Sequence, residues 1–211
     1  MADSSVETHP HKDVHGQTGP SDSDVPTPED IYNIPVGFVN CLIEIAPKIQ
    51  QSGAWWSLSG DLGENLLDVH VRPTEIEIVT DELGLGKISS ALSSYNLTPI
   101  AIKERRLDRE AELDGNKYPV FEKCSYTEFT LKGTKVKVEG DYQLKVGEWE
   151  WGDTFFFDPT FVNVAGVQIP VMPLRLRSEL YIVSGWGDRA KQISEAYTRA
   201  HAFIQPLMEG V

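Results

Sequence analysis

Cysteine is scarce in this sequence, with only Cys41 and Cys124 among 211 residues. The two lie far apart and belong to no C-x-x-C arrangement, which argues against a disulfide framework or a cysteine zinc site. Buried free thiols are the expected state of both. No apolar run approaches the ~20 residues that span a bilayer, and the amino terminus lacks the pattern of a signal peptide. We therefore expect a cytoplasmic protein.

Positive charge is also in short supply, because the chain has 19 Lys and Arg against 32 Asp and Glu and a formal net charge of −13. A nucleic-acid groove normally needs a basic stripe that releases counterions from phosphates, and a membrane-surface helix needs a Lys and Arg face. Neither pattern is evident along the sequence. We expect neither a nucleic-acid partner nor a membrane partner.

Large apolar side chains are nearly missing from residues 1–30, which are rich in Asp, Ser, Thr, Pro, Gly and His. Such a segment cannot bury enough surface to offset the entropy lost on ordering. The sequence therefore predicts a disordered acidic tail over 1–30 and one folded domain over 31–211. The whole chain is 40% hydrophobic and 24% charged, which is the balance of an ordinary globular protein.

Apolar periodicity after the tail predicts helices and strands in mixed order. Helices are predicted over 34–49, 85–95 and 188–204, and another follows Pro173 to about Val183. Strands are predicted over 54–59, 74–79, 97–102, 118–121, 125–131, 136–146, 161–164 and 167–171. This order predicts an α+β fold in which helices flank a mixed β-sheet.

The strongest candidate for chemistry is an acidic pair, Glu75 and Glu77, in a strand that alternates with apolar residues. Alternation places both carboxylates on one strand face, where they repel each other and lose hydration. A divalent metal is the natural compensating partner, and Mg²⁺ or Mn²⁺ would take such oxygen ligands. A later strand supplies Glu139 or Asp141 as a third acid, which could hold a second metal or accept a proton from an attacking hydroxyl.

Upstream of the acidic pair, the turn Ser59-Gly60-Asp61 follows a short apolar strand. This turn, the acid-x-acid pair and the third acid on a later strand resemble the motifs of the nucleotidyltransferase superfamily, which includes the minimal and the antibiotic-modifying nucleotidyltransferases. The resemblance covers about Val36 to Tyr197. It implies a nucleotidyltransferase-like fold and a metal-dependent transfer of a nucleoside monophosphate from a nucleoside triphosphate to an unknown acceptor.

The resemblance also implies a role for each residue of the motifs. The turn backbone would hold the phosphates, and a basic residue on a late helix would assist. The implied nucleotide-binding residues are Ser59, Gly60, Asp61 and Lys191. The implied metal ligands are Glu75, Glu77 and Glu139, and the implied catalytic acids are Glu139 and Asp141.

Other interpretations of these residues stay open. Alternating acids are also typical of a solvated sheet face. The fold could then serve as a catalytically silent nucleotide-binding or protein-interaction module, or as an antitoxin-like partner that modifies or masks another protein. None of these alternatives is decided by the sequence.

Two further clusters have more than one interpretation. The basic residues between Lys103 and Arg109 could guide an anionic acceptor, but their interleaved acids favour a solvated loop. The aromatic run from Trp149 to Phe157 could wall an acceptor pocket, form a homodimer interface or pack its loop back onto the sheet.

Overall fold

Seven strands form one mixed sheet within residues 34–202, the part of the chain that the computed structural model describes, and five α-helices accompany it. The predicted tail over 1–30 lies outside these residues. The helices are α1 (Val36–Gln51), α2 (Gly60–Asn65), α3 (Glu82–Ala91), α4 (Leu174–Val183) and α5 (Gly187–Ala202). The strands are β1 (Trp56–Ser59), β2 (Ile76–Thr80), β3 (Ala101–Leu113), β4 (Asn116–Leu131), β5 (Thr134–Val146), β6 (Thr160–Val164) and β7 (Val167–Val171).

The strand order across the sheet is β3-β4-β5-β2-β1-β7-β6. Strand β1 runs antiparallel to β2 and parallel to β7, and β2 runs parallel to β5. The outer strands form antiparallel hairpins, β3 with β4 and β6 with β7. The predicted α+β class with a mixed sheet is therefore confirmed. Among residues 34–202, no helix combines the length and apolar character needed to cross a membrane.

The main core lies between one face of the sheet and helices α1 and α3. Helix α1 buries Leu42, Ile45 and Ile49 at spacings of three and four, because residues at these spacings share one helix face. Strand β2 buries Ile76 and Ile78 in the same cluster. The alternation of β2 therefore directs Glu77 to the opposite face, as the sequence predicts, and Glu75 immediately precedes the strand.

Both cysteines are buried free thiols, which confirms the prediction. Burial raises the pKa of Cys41 and of Cys124 to about 12, so each thiol stays protonated at neutral pH.

The middle of the chain differs from the prediction at two points. The strands predicted over 118–121 and 125–131 form one strand, β4, and the second difference lies around Lys103. The expected strand over 97–102 and the expected solvated loop after Lys103 are replaced by a single long strand, β3, which runs to Leu113. Strand β3 is an edge strand of the sheet, and charged residues are common on edges because they oppose pairing with other chains. The charged residues after Lys103 are therefore as compatible with an edge strand as with a solvated loop.

The far end of β3 meets the turn between α4 and α5. The guanidinium carbon of Arg109 lies 3.0 Å from the centre of the Trp186 ring. Beside it, Gly185 adopts a φ of +78°, and a Cβ there would lie 2.3 Å from the carbonyl oxygen of Glu110. One edge of the sheet is thus held against the carboxy-terminal helices.

Candidate functional site

A cavity of about 680 Å³ opens on the sheet face opposite α1 and α3. Its wall combines the turn after β1, the strands β2 and β5, the strand β3, and the region of α4 and α5. Most of the residues that the sequence predicts for a site line this cavity: Ser59, Gly60, Asp61, Glu75, Glu77 and Glu139. The tertiary structure therefore brings the predicted turn to the acidic pair and to one of the two candidate third acids.

The turn approaches the acidic pair through Gly60. Gly60 has a φ of +64°, and a Cβ added there would lie 2.2 Å from Oε2 of Glu77. Glycine adopts this left-handed φ without steric cost, and a Cβ here would require the Glu77 carboxylate to shift. The neighbouring Ser59 pairs with Glu77 across the strands but is buried, and its hydroxyl donates to the sulfur of Met172 at 4.0 Å.

Asp61 lies in an ion-pair network with two arginines. Arg189 donates from one terminal nitrogen to Oδ1 of Asp61 at 2.7 Å and to Oε2 of Glu64 at 2.6 Å. Arg177 donates from Nε to Oε1 of Glu64 at 2.8 Å, and the hydroxyl of Tyr181 donates to the same oxygen at 2.7 Å. Burial raises the pKa of Asp61, and Arg189 opposes that shift without cancelling it. The negative charge of Asp61 at the turn is therefore largely compensated.

The two acids of the predicted metal pair each face a lysine of β5. Lys135 lies 3.4 Å from Glu75, measured from Nζ to Oε2. Lys137 pairs in register with Glu77, and its Nζ lies 2.5 Å from Oε1 of Glu139. Burial raises the pKa of Glu77 to about 7, an effect that Arg177 opposes and Glu139 reinforces.

The metal site predicted at Glu75, Glu77 and Glu139 stays a prediction. Within residues 34–202, no three carboxylate, histidine or cysteine side chains come together as a group that could hold a metal ion. Lys135 forms an ion pair with Glu75, and Lys137, the register partner of Glu77, forms one with Glu139.

Asp141, the other candidate third acid, does not join the cavity. It has a left-handed φ of 52°, and the pairing of β5 with β4 shifts register at this point. Such a bulge breaks the two-residue alternation, so Glu139 and Asp141 no longer share a face. Oδ1 of Asp141 instead accepts a hydrogen bond at 3.2 Å from the backbone nitrogen of Glu82, at the start of α3.

Lys191 is likewise not brought to the cavity. It is an exposed residue of α5, whereas Arg189, two positions earlier, lines the cavity wall. Two residues correspond to a rotation of about 200° around an α-helix, so the two side chains point to nearly opposite sides. The basic residue of this helix that belongs to the site is Arg189.

A second group of charged residues lies on β3 and β4, and its central acid, Glu122, is not among the predicted site residues. Glu122 is buried, and its carboxylate accepts hydrogen bonds from Arg105 at 2.7 Å and from the hydroxyl of Tyr142 at 3.1 Å. Lys103 forms a further ion pair with it. Burial raises the pKa of Glu122, but the bonds from Lys103 and Arg105 outweigh it, so the net shift is downward. Period-two alternation after Lys103 was the signal in the sequence that could have indicated this strand.

The aromatic run divides between the cavity and the surface. Phe155 and Phe157 line the cavity, and Phe157 packs edge-on to Trp55 with ring centres 5.1 Å apart. Trp149 is 59% exposed and stacks on Tyr118. The predicted packing of this loop against the sheet and the predicted pocket wall are thus both present, on different residues.

Three solved structures are similar to this chain. No model of a protein family and no curated protein matches the sequence. A crystal structure from Thermotoga maritima, of a protein assigned as a nucleotidyltransferase, is 22% identical and has a TM-score of 0.56, and the match covers 82% of this chain and 96% of that one. Two structures of the antibiotic-resistance factor ANT(2'')-Ia also match. One holds adenylyl-2''-tobramycin and is 9% identical over 81% of this chain and 93% of that one, with a TM-score of 0.41. The other, a solution structure, is 8% identical over 83% of this chain and 99% of that one, also at 0.41.

The likeness to the Thermotoga protein shows that the chain has a nucleotidyltransferase-like fold, as the sequence predicts. Because identity is low, the roles of individual residues rest on the geometry of this chain.

Proposed function

We propose that this chain, with its nucleotidyltransferase-like fold, binds a nucleoside triphosphate in the cavity and transfers the nucleoside monophosphate to an acceptor. The observation that carries the proposal is the concentration of positive charge in the cavity of an acidic protein. Seven basic and six acidic side chains line it, whereas the whole chain has 19 basic and 32 acidic residues. The basic residues are Lys103, Arg105, Arg106, Arg109, Lys137, Arg177 and Arg189.

The position of these cations supports a phosphate-bearing ligand. Arginine matches the geometry of phosphate oxygens and forms short, charge-assisted hydrogen bonds to them. Among residues 34–202, the ion-pair partner of Arg106 is Glu110 at 3.7 Å, and the Arg106 side chain is 60% exposed, so it is accessible to a ligand. The cavity also presents apolar rings, including those of Trp55 and Phe157, beside which a base could stack.

The transfer would proceed by attack of an acceptor hydroxyl on the α-phosphorus of the triphosphate. The new oxygen–phosphorus bond forms as the bond to the β-phosphate oxygen breaks, and pyrophosphate leaves with that electron pair. Such reactions depend mainly on positioning and on neutralising the phosphate charge. Glu77 is the carboxylate best suited to accept the hydroxyl proton, because Glu139 is paired with Lys137 and Asp141 is turned toward α3.

The first test of this proposal is direct binding. We expect Arg106→Ala to weaken the binding of a nucleoside triphosphate about tenfold, because a lost charged hydrogen bond is worth about 1.5 kcal/mol. Titration calorimetry with each of the four ribonucleoside triphosphates would measure the dissociation constants. The matched control is Arg175→Ala, since Arg175 is also an exposed arginine paired with a glutamate four residues later, but lies outside the cavity wall. Equal affinities of both variants and the wild type would place the ligand elsewhere.

A second candidate function is nucleotide binding without transfer. The ion pair between Lys137 and Glu139 favours it, because it occupies an acid that catalysis would otherwise use. Incubation with α-³²P-labelled triphosphates and fractionated small molecules as candidate acceptors distinguishes transfer from binding alone. Label transferred to a new product, and lost in Glu77→Gln, supports transfer. Tight binding with no labelled product under any condition supports the silent module, and absence of binding overturns both.

A further inference from the structure

The parallel pairing of β2 with β5 places a lysine beside the central acid of the predicted metal pair. Glu77 and Lys137 are partners in register, and neighbouring strands lie about 4.8 Å apart. The side chain of Lys137 is only 15% exposed, so its ammonium is largely shielded from bulk water. A buried ammonium needs carboxylate partners, and Glu77 and Glu139 are the acids on this face next to it.

Glu139 is already engaged by this lysine. Nζ of Lys137 lies 2.5 Å from Oε1 of Glu139, and the thiol of Cys124 donates to the same oxygen at 3.6 Å. Glu139 is 7% exposed. A divalent ion that used this oxygen would have to displace the ammonium, and the two cations would repel each other at such short range.

We infer that Lys137 is the resident cation of this acidic face, in the position that a divalent metal would take between Glu77 and Glu139, and that the wild-type chain binds no divalent metal there. The inference deepens the proposed function, because it names the cation of the same cavity. Nucleotide phosphates would then meet fixed basic side chains rather than a bound ion. The test uses Mn²⁺ alone and no nucleotide. The inference about Lys137 can therefore fail while nucleotide binding is observed, and it can hold while nucleotide binding is absent.

The deciding variant is Lys137→Glu, which removes the ammonium and adds a third carboxylate beside Glu77 and Glu139. Titration of Mn²⁺ followed by electron paramagnetic resonance measures the bound ion directly. We expect the variant to bind one Mn²⁺ at least about tenfold more tightly than the wild type, since affinity for such ions follows the number of charged oxygen ligands. Lys87→Glu is the control for net charge, because Lys87 is exposed and, within residues 34–202, its ammonium donates to a backbone oxygen, that of Gly53.

A second variant covers the case in which Lys137→Glu does not fold. Lys137→Gln removes the cation without adding a charge, and Mn²⁺ should raise its melting temperature while leaving that of the wild type unchanged. Wild-type protein that binds one Mn²⁺ and loses it on Glu77→Gln would overturn the inference. So would Lys137 variants that bind Mn²⁺ no better than the wild type and the Lys87→Glu control.

Discussion

Glu64→Gln is expected to lower the free energy of unfolding by about 3 kcal/mol, because it removes the charge of a buried acid that holds two arginines. The side chain of Glu64 is 2% exposed, and those of Arg177 and Arg189 are 19% and 16% exposed. Arg189 would keep Asp61 as a partner, but Arg177 would lose its close carboxylate. The free-energy cost of leaving Arg177 buried without a close carboxylate exceeds the stability that the intact ion pair contributes.

Urea unfolding of the wild type and the variant would measure this difference, with the slope checked for a change in the denatured state. The control is Glu179→Gln, in which a glutamate again loses its arginine partner but both side chains are exposed, at 56% and 81%. Exposed pairs of this kind contribute about 0.5 kcal/mol or less. A loss in Glu64→Gln no larger than the control would mean that the network positions side chains without stabilising the fold.

Gly185→Ala is expected to lower the free energy of unfolding by about 2 to 5 kcal/mol, through two separate costs. Gly185 has a φ of +78°, and a non-glycine residue in the left-handed region costs about 1 to 2 kcal/mol. The added methyl would also lie 2.3 Å from the backbone oxygen of Glu110, which cannot rotate away as a side chain can. The displacement of that backbone adds about 1 to 3 kcal/mol.

Gly166→Ala separates the two costs. Gly166 has a similar φ of +87°, but among the described residues nothing lies within 4 Å of the position of its Cβ. Only the conformational cost then applies. Equal losses in the two variants would show that β3 yields at Glu110 and that the contact with the α4–α5 turn is not tight. A larger loss at Gly185, with weaker nucleotide binding, would show that this contact also maintains the cavity.

Local alternation in the sequence predicted the faces of the acidic strand correctly but not those of β5 at Asp141. The alternation of Ile76 and Ile78 with Glu75 and Glu77 predicts a strand with one apolar and one charged face, and the structure confirms it. The same rule failed at Asp141, because the left-handed φ of that residue and the register shift break the alternation. A bulge of this kind depends on the partner strand and leaves little trace in the sequence.

The positive charge beside the acidic pair depends on which strand pairs with β2. Two glutamates on one face require positive charge, which the sequence establishes. Lys135 and Lys137 alternate with other residues on β5, so the sequence also indicates that the two lysines share one strand face. That this face adjoins Glu75 and Glu77 depends on the parallel pairing of two strands separated by a helix and two further strands, which no local pattern encodes.

The amino-acid sequence by itself determined the class of the fold, the buried faces of the helices and strands, and the candidate turn and acids, because these depend on periodicity within short segments. Only the tertiary structure decided which charges meet. It joined Asp61 to Arg189, set Lys137 beside Glu77, and left Asp141 and Lys191 outside the cavity. Interactions between charges act over a few ångströms of space, whatever the distance along the chain, so strand order and helix rotation decide them.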